Sequence, residues 1–171
     1  GATPMSYRRD PMAGAGEIIH EVEKAARETS SSTVATVGKL LCRPNTPNVI
    51  PESVELFVDI RDVRSDGMAT VVERVKEKTR NVCNARGLEY SFEYTDVAEP
   101  RSCSSRIVDS LSSSARSKNI PYREMMSGAL HDTAVMASIS EIGMLFVPSI
   151  DGLSHNPEER TETGDIPKAC D

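Results

Sequence analysis

Apolar residues fall into a helical rhythm soon after the chain begins. Ile18, Ile19, Val22, Ala25 and Ala26 recur at spacings that predict an amphipathic helix. Asp10-Pro11 supplies its start, since the aspartate carboxylate can accept a free backbone N–H and proline misses none at the first helical position. Thr29 to Thr33, with three consecutive serines, predicts a connection, and the β-branched stretch from Thr33 to Leu41 predicts a strand. Pro44-Asn45-Thr46-Pro47-Asn48 is a rigid turn.

The clearest element follows. Val54, Leu56, Val58 and Ile60 alternate with Glu55, Phe57, Asp59 and Arg61, which predicts a strand with one apolar and one mostly charged face. Met68, Val71, Val72, Val75, Val82 and Cys83 then share one side of a second helix. Leu88, Tyr90, Phe92 and Tyr94 predict a further alternating strand. The order helix, strand, strand, helix, strand implies an α+β sandwich with both helices on one face of an antiparallel sheet. A ferredoxin-like pattern would place one more strand before the first helix, so its first strand is missing here.

Pro100 to Ser105 reads as a boundary, giving domains at 1–100 and 101–171. Beyond it, Ser105 to Ser117 and His131 to Ser138 are helix candidates. Ile142 to Val147 is a short apolar run of the kind buried on both faces of a parallel α/β sheet. Ser149 to Arg160 forms a polar loop at that strand's carboxyl end, where open α/β sheets place their ligands.

Composition narrows the class. A net charge of −6 and 4% aromatic residues disfavour a nucleic-acid binder, and 38% hydrophobic residues can build a core. No apolar run approaches the roughly 20 residues that span a bilayer, and the start is not a signal peptide. Cys42, Cys83, Cys103 and Cys170 are scattered without a CxxC, which favours a reducing cytoplasm over disulfide staples or a thiolate zinc site. Gly1 stands without an initiator methionine, and residues 164–171 read as a loop leading onward, so both ends look cut from a longer protein.

Three histidines offer chemistry. His20 has Lys24 where an HExxH motif needs histidine, which leaves it a solvated helix residue. His131 precedes Asp132, and the pair is either a helix start capped by Asp132 or a site element. His155 lies just past the apolar run and could coordinate zinc through a neutral imidazole, but a metal site needs three or four ligands. Arg61, on the charged strand face, could grip a carboxylate bidentately or form a surface pair with Asp59 or Asp62. No GxSxG elbow, P-loop or Rossmann glycine pattern is present.

Five short segments carry a resemblance: Gly1-Ala2-Thr3-Pro4-Met5 with Arg8-Arg9-Asp10; Pro44-Asn45 with Asn48-Val49-Ile50-Pro51; Asp59-Ile60-Arg61-Asp62; Gly128-Ala129-Leu130-His131-Asp132; and Phe146-Val147-Pro148-Ser149 through Ser154-His155-Asn156-Pro157-Glu158-Glu159. In this order they resemble the signatures of the hydantoinase/carbamoylase family, which includes N-carbamoyl-L-amino-acid hydrolase, allantoate amidohydrolase and β-ureidopropionase. The resemblance implies a homodimeric, two-domain amidohydrolase with two divalent metal ions, zinc or manganese. Residues 1–100 would be a lid and dimerisation domain, and the remainder the last part of a metal-binding catalytic α/β domain.

By position, His155 matches a metal ligand. Asn48 and Arg61 match lid residues that bind a small ureido acid, Arg61 gripping its carboxylate, often in the partner subunit's site. Gly128 and His131 match a loop lining the active site. The implied reaction is attack of a metal-activated water on the ureido carbonyl, with a glutamate general base expected upstream, so that this chain alone would be inactive. Leu130 stands where the family has a small residue and Thr133 where alanine is usual, which leaves the substrate open. An aminoacylase or peptidase with the same metal site, and a non-catalytic homodimerisation module, are the alternatives.

Overall fold

The computed structural model describes residues 1–95 and 97–170, and the chain divides into two compact units, Gly1–Pro100 and Arg101–Asp171. In the first unit, helix α1 (Pro11–Thr29) starts where Asp10 accepts the Met12 and Ala13 N–H groups at 3.0 and 3.2 Å. That capping satisfies two of the donors a helix start leaves orphaned. Strands β1 (Val34–Arg43) and β2 (Ser53–Arg61) form an antiparallel hairpin, and α2 (Ser65–Arg86) follows. Gly87 ends α2 at φ +63°, and the Leu88 N–H reaches back to the Cys83 carbonyl at 2.9 Å, a closure that a residue with a Cβ adopts only at a cost.

Both helices cover one face of the hairpin. Val22, Ala25, Val71 and Val75 form the core, with Ile18, Ala35, Val37 and Ile60 packed around it. Ion pairs flank this seam: Glu17 joins Lys78 and Arg86 at 3.2 and 2.7 Å, and Arg74 joins Glu21 and Glu28 at 2.8 and 2.9 Å. The opposite face of β2 carries Phe57, Asp59 and Arg61, all exposed, with the Lys39 ammonium 4.4 Å from the Phe57 ring centre. A bulge at Gly38 sets the two halves of β1 in phase, so Val37 pairs with Val58 and Lys39 with Phe57.

The strand expected at Leu88–Tyr94 makes no ladder among the described residues. Its alternation survives as an edge-to-face contact of Tyr90 on Phe92, with ring centres 5.6 Å apart. Side-chain alternation fixes a face, but a strand also needs a neighbour to take its backbone hydrogen bonds.

In the second unit, α3 (Ser105–Ser117) matches its expected bounds, and two short helices, α4 (Asp132–Met136) and α5 (Asp165–Cys170), come later. Residues 164–171 were expected as loop, so α5 corrects that reading. The apolar run at Ile142–Val147 is not a doubly buried strand here. Ile142 is buried and its carbonyl accepts the Ser104 N–H at 2.8 Å, but Leu145, Phe146 and Val147 are exposed and pair with no strand among the described residues.

Candidate functional site

Arg61 ends β2 on the uncovered face. Its Nε donates to both Asp59 oxygens at 3.0 and 3.1 Å and its Nη2 to Oδ2 at 2.7 Å. Residues two apart on a strand share a face, which is why the pair forms. Of the alternatives the sequence left open, the Asp59 surface pair is present. It does not bury the arginine, whose side chain is 49% exposed. The Arg61 hydrogen bonds hold the Asp59 carboxyl below its ordinary value, partly offset by desolvation, and Asp59 in turn raises the guanidinium.

Asp62 is held differently and escaped the sequence reading. Its carboxylate accepts the hydroxyls of Ser32 (2.9 Å), Ser30 (3.4 Å) and Thr33, together with the Arg64 N–H (3.1 Å). The Thr33 hydroxyl is the largest cause of its lowered pKa, which desolvation opposes and Ser32 and the nearby backbone assist. Asp62 thereby ties the end of β2 to the turn after α1 and to the start of α2. A Cβ on Gly67 would lie 2.0 Å from its Oδ2, so only glycine leaves room for it. The serine run at 30–32, a plain connection by sequence, is the signal that could have pointed here.

Asn48 is exposed in the loop joining the two strands, and its carbonyl accepts from the Gly1 nitrogen. The residues before α1 fold over on themselves nearby, the Arg8 guanidinium donating to the carbonyls of Thr3 and Gly1 at 2.8 and 2.6 Å. Asn48 and Arg61 are not brought together. They occupy opposite ends of the hairpin, separated by the length of β2, roughly 27 Å at about 3.4 Å per residue.

In the second unit, His131 is the residue preceding α4 and has non-helical φ and ψ, so it occupies the cap position and Asp132 is the first helical residue. This corrects the reading of Asp132 as the cap. The His131 Nε2 lies 2.6 Å from the Ser127 hydroxyl, and its ring tilts against Phe146 with centres 5.7 Å apart. The Ala129 N–H also points at the Ser127 oxygen, at 3.3 Å. Gly128 is exposed between them, and a Cβ there would meet nothing within 4 Å. His155 is exposed at φ +57°, its own N–H donating to the Glu159 carboxylate at 2.8 Å. That bond and the Asn156 side chain on the Glu158 N–H (2.9 Å) fix the loop's course. His20 is exposed on α1.

A metal centre needs three or four ligands. Among the described residues no three His, Cys, Asp or Glu side chains gather. His155 is therefore a single potential ligand, and the residues present do not by themselves fit a metal ion.

The family model for peptidase family M20/M25/M40 matches residues 8–171. An N-carbamoyl-L-amino-acid amidohydrolase of Pseudomonas sp. (strain NS671) is 42% identical over 97% of this chain, and allantoate amidohydrolase of Escherichia coli (strain K12) is 32% identical over 97%. A solved amidase of the hydantoinase/carbamoylase family from Burkholderia multivorans superposes with a TM-score of 0.88 at 31% identity, covering 97% of this chain. The chain spans 40% of the length of each of these three proteins.

Proposed function

The chain belongs to peptidase family M20/M25/M40, and from that premise we propose that it is the carboxyl-terminal part of an enzyme that hydrolyses the carbamoyl or ureido C–N bond of N-carbamoyl amino acids or related ureido acids such as allantoate. The observation that carries this reading is the match to N-carbamoyl-L-amino-acid and allantoate amidohydrolases along nearly the whole chain. Residues 1–100 act as a lid and dimerisation domain of ferredoxin-like type, and 101–171 as part of the catalytic domain. The enzyme is a cytoplasmic, metal-dependent homodimer. No helix among the described residues is long and apolar enough to cross a membrane.

Arg61 binds the substrate carboxylate. A guanidinium whose orientation is fixed by Asp59 is pre-aligned for that task, since less rotamer freedom is lost on binding. Asn48 binds a polar group of the substrate, and Gly128 and His131 belong to a loop that lines the active site. The separation of Asn48 from Arg61 within one copy exceeds the length of a small ureido acid. Two copies of the lid are thus needed for both residues to serve one substrate, which supports the homodimer. His155 would supply one ligand to a zinc or manganese ion, and such an ion, when bound, would activate water at neutral pH.

The test is hydrolysis of N-carbamoyl-L-amino acids and allantoate by the enzyme containing this chain, with metal content measured beside it. Arg61→Ala raises KM about a hundredfold, as expected for the loss of a charge-assisted bidentate contact worth roughly 3 kcal/mol. His155→Ala lowers bound metal and activity together. Unchanged activity in both variants would refute these roles.

A further inference from the structure

Ser127 and His131 stand four residues apart, and nothing in the sequence motifs marks the serine. A serine hydroxyl has one proton to donate and two lone pairs to accept with. Its oxygen lies 3.3 Å from the Ala129 N–H, which can only donate, so one lone pair is taken. The remaining contact is to His131 Nε2 at 2.6 Å. Were Nε2 protonated, the ring would donate to the second lone pair and the hydroxyl proton would have no acceptor among the described residues. With Nε2 unprotonated, the hydroxyl proton goes to the ring and every polar atom of the trio is used. Groups with partners in reach are paired as a rule, because an unmade hydrogen bond in a partly buried place is costly.

We propose that Ser127 is a positioning residue that holds neutral His131 in its Nδ1–H form, so that the imidazole presents a hydrogen-bond donor to an acceptor oxygen of the ureido acid. Three contacts define the ring: the Ser127 hydroxyl on Nε2, Phe146 against one side, and the backbone at the start of α4. Nδ1 makes no protein hydrogen bond among the described residues, and it is the nitrogen left to meet a ligand. A donor at this place suits a carbonyl or carboxylate oxygen and discriminates against a cationic or purely apolar ligand. The role as a substrate contact rests on the proposed function; the choice of tautomer does not.

The experiment uses the enzyme containing this chain, labelled with 15N in its histidine rings and observed near pH 8, where imidazole is neutral. His131→Gln identifies the His131 signals. The expected wild-type pattern is a pyrrole-like Nδ1 and a pyridine-like Nε2. Ser127→Ala moves both nitrogens toward the average of two exchanging tautomers and raises KM for the ureido acid roughly tenfold, with kcat within about twofold, the size of one lost hydrogen bond. Ser127→Thr, which keeps the hydroxyl, restores both. A wild-type ring protonated at Nε2, or a Ser127→Ala ring identical to wild type, overturns the inference whatever the activity. An altered ring beside an unchanged KM overturns the substrate contact. A wild-type enzyme that retains the nitrogen pattern but hydrolyses no ureido acid counts against the proposed function and upholds the tautomer.

Discussion

Replacing Gly67 with alanine provides a test with a defined sign. An alanine in a helix is ordinarily favoured over glycine by about 1 kcal/mol, because the backbone entropy cost of glycine is removed. At Gly67 the new Cβ would fall 2.0 Å from Oδ2 and 2.6 Å from Cγ of Asp62, well inside contact distance. The carboxylate must swing away, and with it go the hydrogen bonds from the Ser32 and Thr33 hydroxyls. Hydrogen bonds to a charged group are worth about 1.5–3 kcal/mol each, and the lower figure suits a half-buried carboxylate. Two such losses against the helix gain leave a net destabilisation of about 2 kcal/mol. Gly16, on the exposed side of α1, is the internal control, since a Cβ there meets nothing within 4 Å. Urea unfolding of the two variants should move the midpoint in opposite directions, down for Gly67→Ala and up for Gly16→Ala. Combining Gly67→Ala with Asp62→Ala should cost less than the sum of the separate changes, because the clash then has no partner. A Gly67→Ala protein as stable as its parent would show that the carboxylate is not lodged against that glycine.

Further outcomes follow from the same geometry. Val71→Ala, at a fully buried position between the two helices and the hairpin, should destabilise by about 2–3 kcal/mol through lost methyl burial and a residual cavity; equilibrium denaturation measures it. Asp10→Ala removes a side chain that accepts two N–H groups and should cost about 1 kcal/mol, visible as fraying of α1 in amide hydrogen exchange. The Asp62 carboxyl is lowered by folding, so its stabilisation is complete above its unfolded value of about 3.9 and is lost as the pH falls through the still lower folded value. Urea midpoints recorded from pH 7 to pH 2.5 should therefore drop at the acid end, and less steeply in Asp62→Asn; identical profiles would contradict the assignment.

The parts of the fold that were legible beforehand are those governed by local rules. Helices α1, α2 and α3 followed from apolar spacing, and Asp10 from capping chemistry. In the hairpin, β1 followed from its β-branched residues and β2 from its alternation, on either side of a proline-rich turn. Readings that depended on distant partners fared less well. Alternation at 88–94 and apolarity at 142–147 describe side chains, whereas a strand is defined by the backbone of another segment. The His131 and Asp132 reading shifted by one residue because a cap is decided by backbone angles rather than residue preference. Ser127 and the hydroxyls around Asp62 were invisible for a related reason: each is one polar residue among many until the chain brings it to its acceptor. Family resemblance, not periodicity, singled out Asn48 and Gly128, whereas His155 was already marked by its place just past the apolar run.

The irregularity at Gly38 has a bearing on length variation in the hairpin. Counted strictly two by two, the sequence would turn Lys39 inward and Leu40 outward, yet the pairing sets Lys39 across from Phe57 and Leu40 across from Leu56. That single glycine thus acts as a spacer that resets parity. Excising it would leave all the downstream partners where they are. With the bulge kept, excising a residue beyond it would invert the inside and outside of everything past the cut.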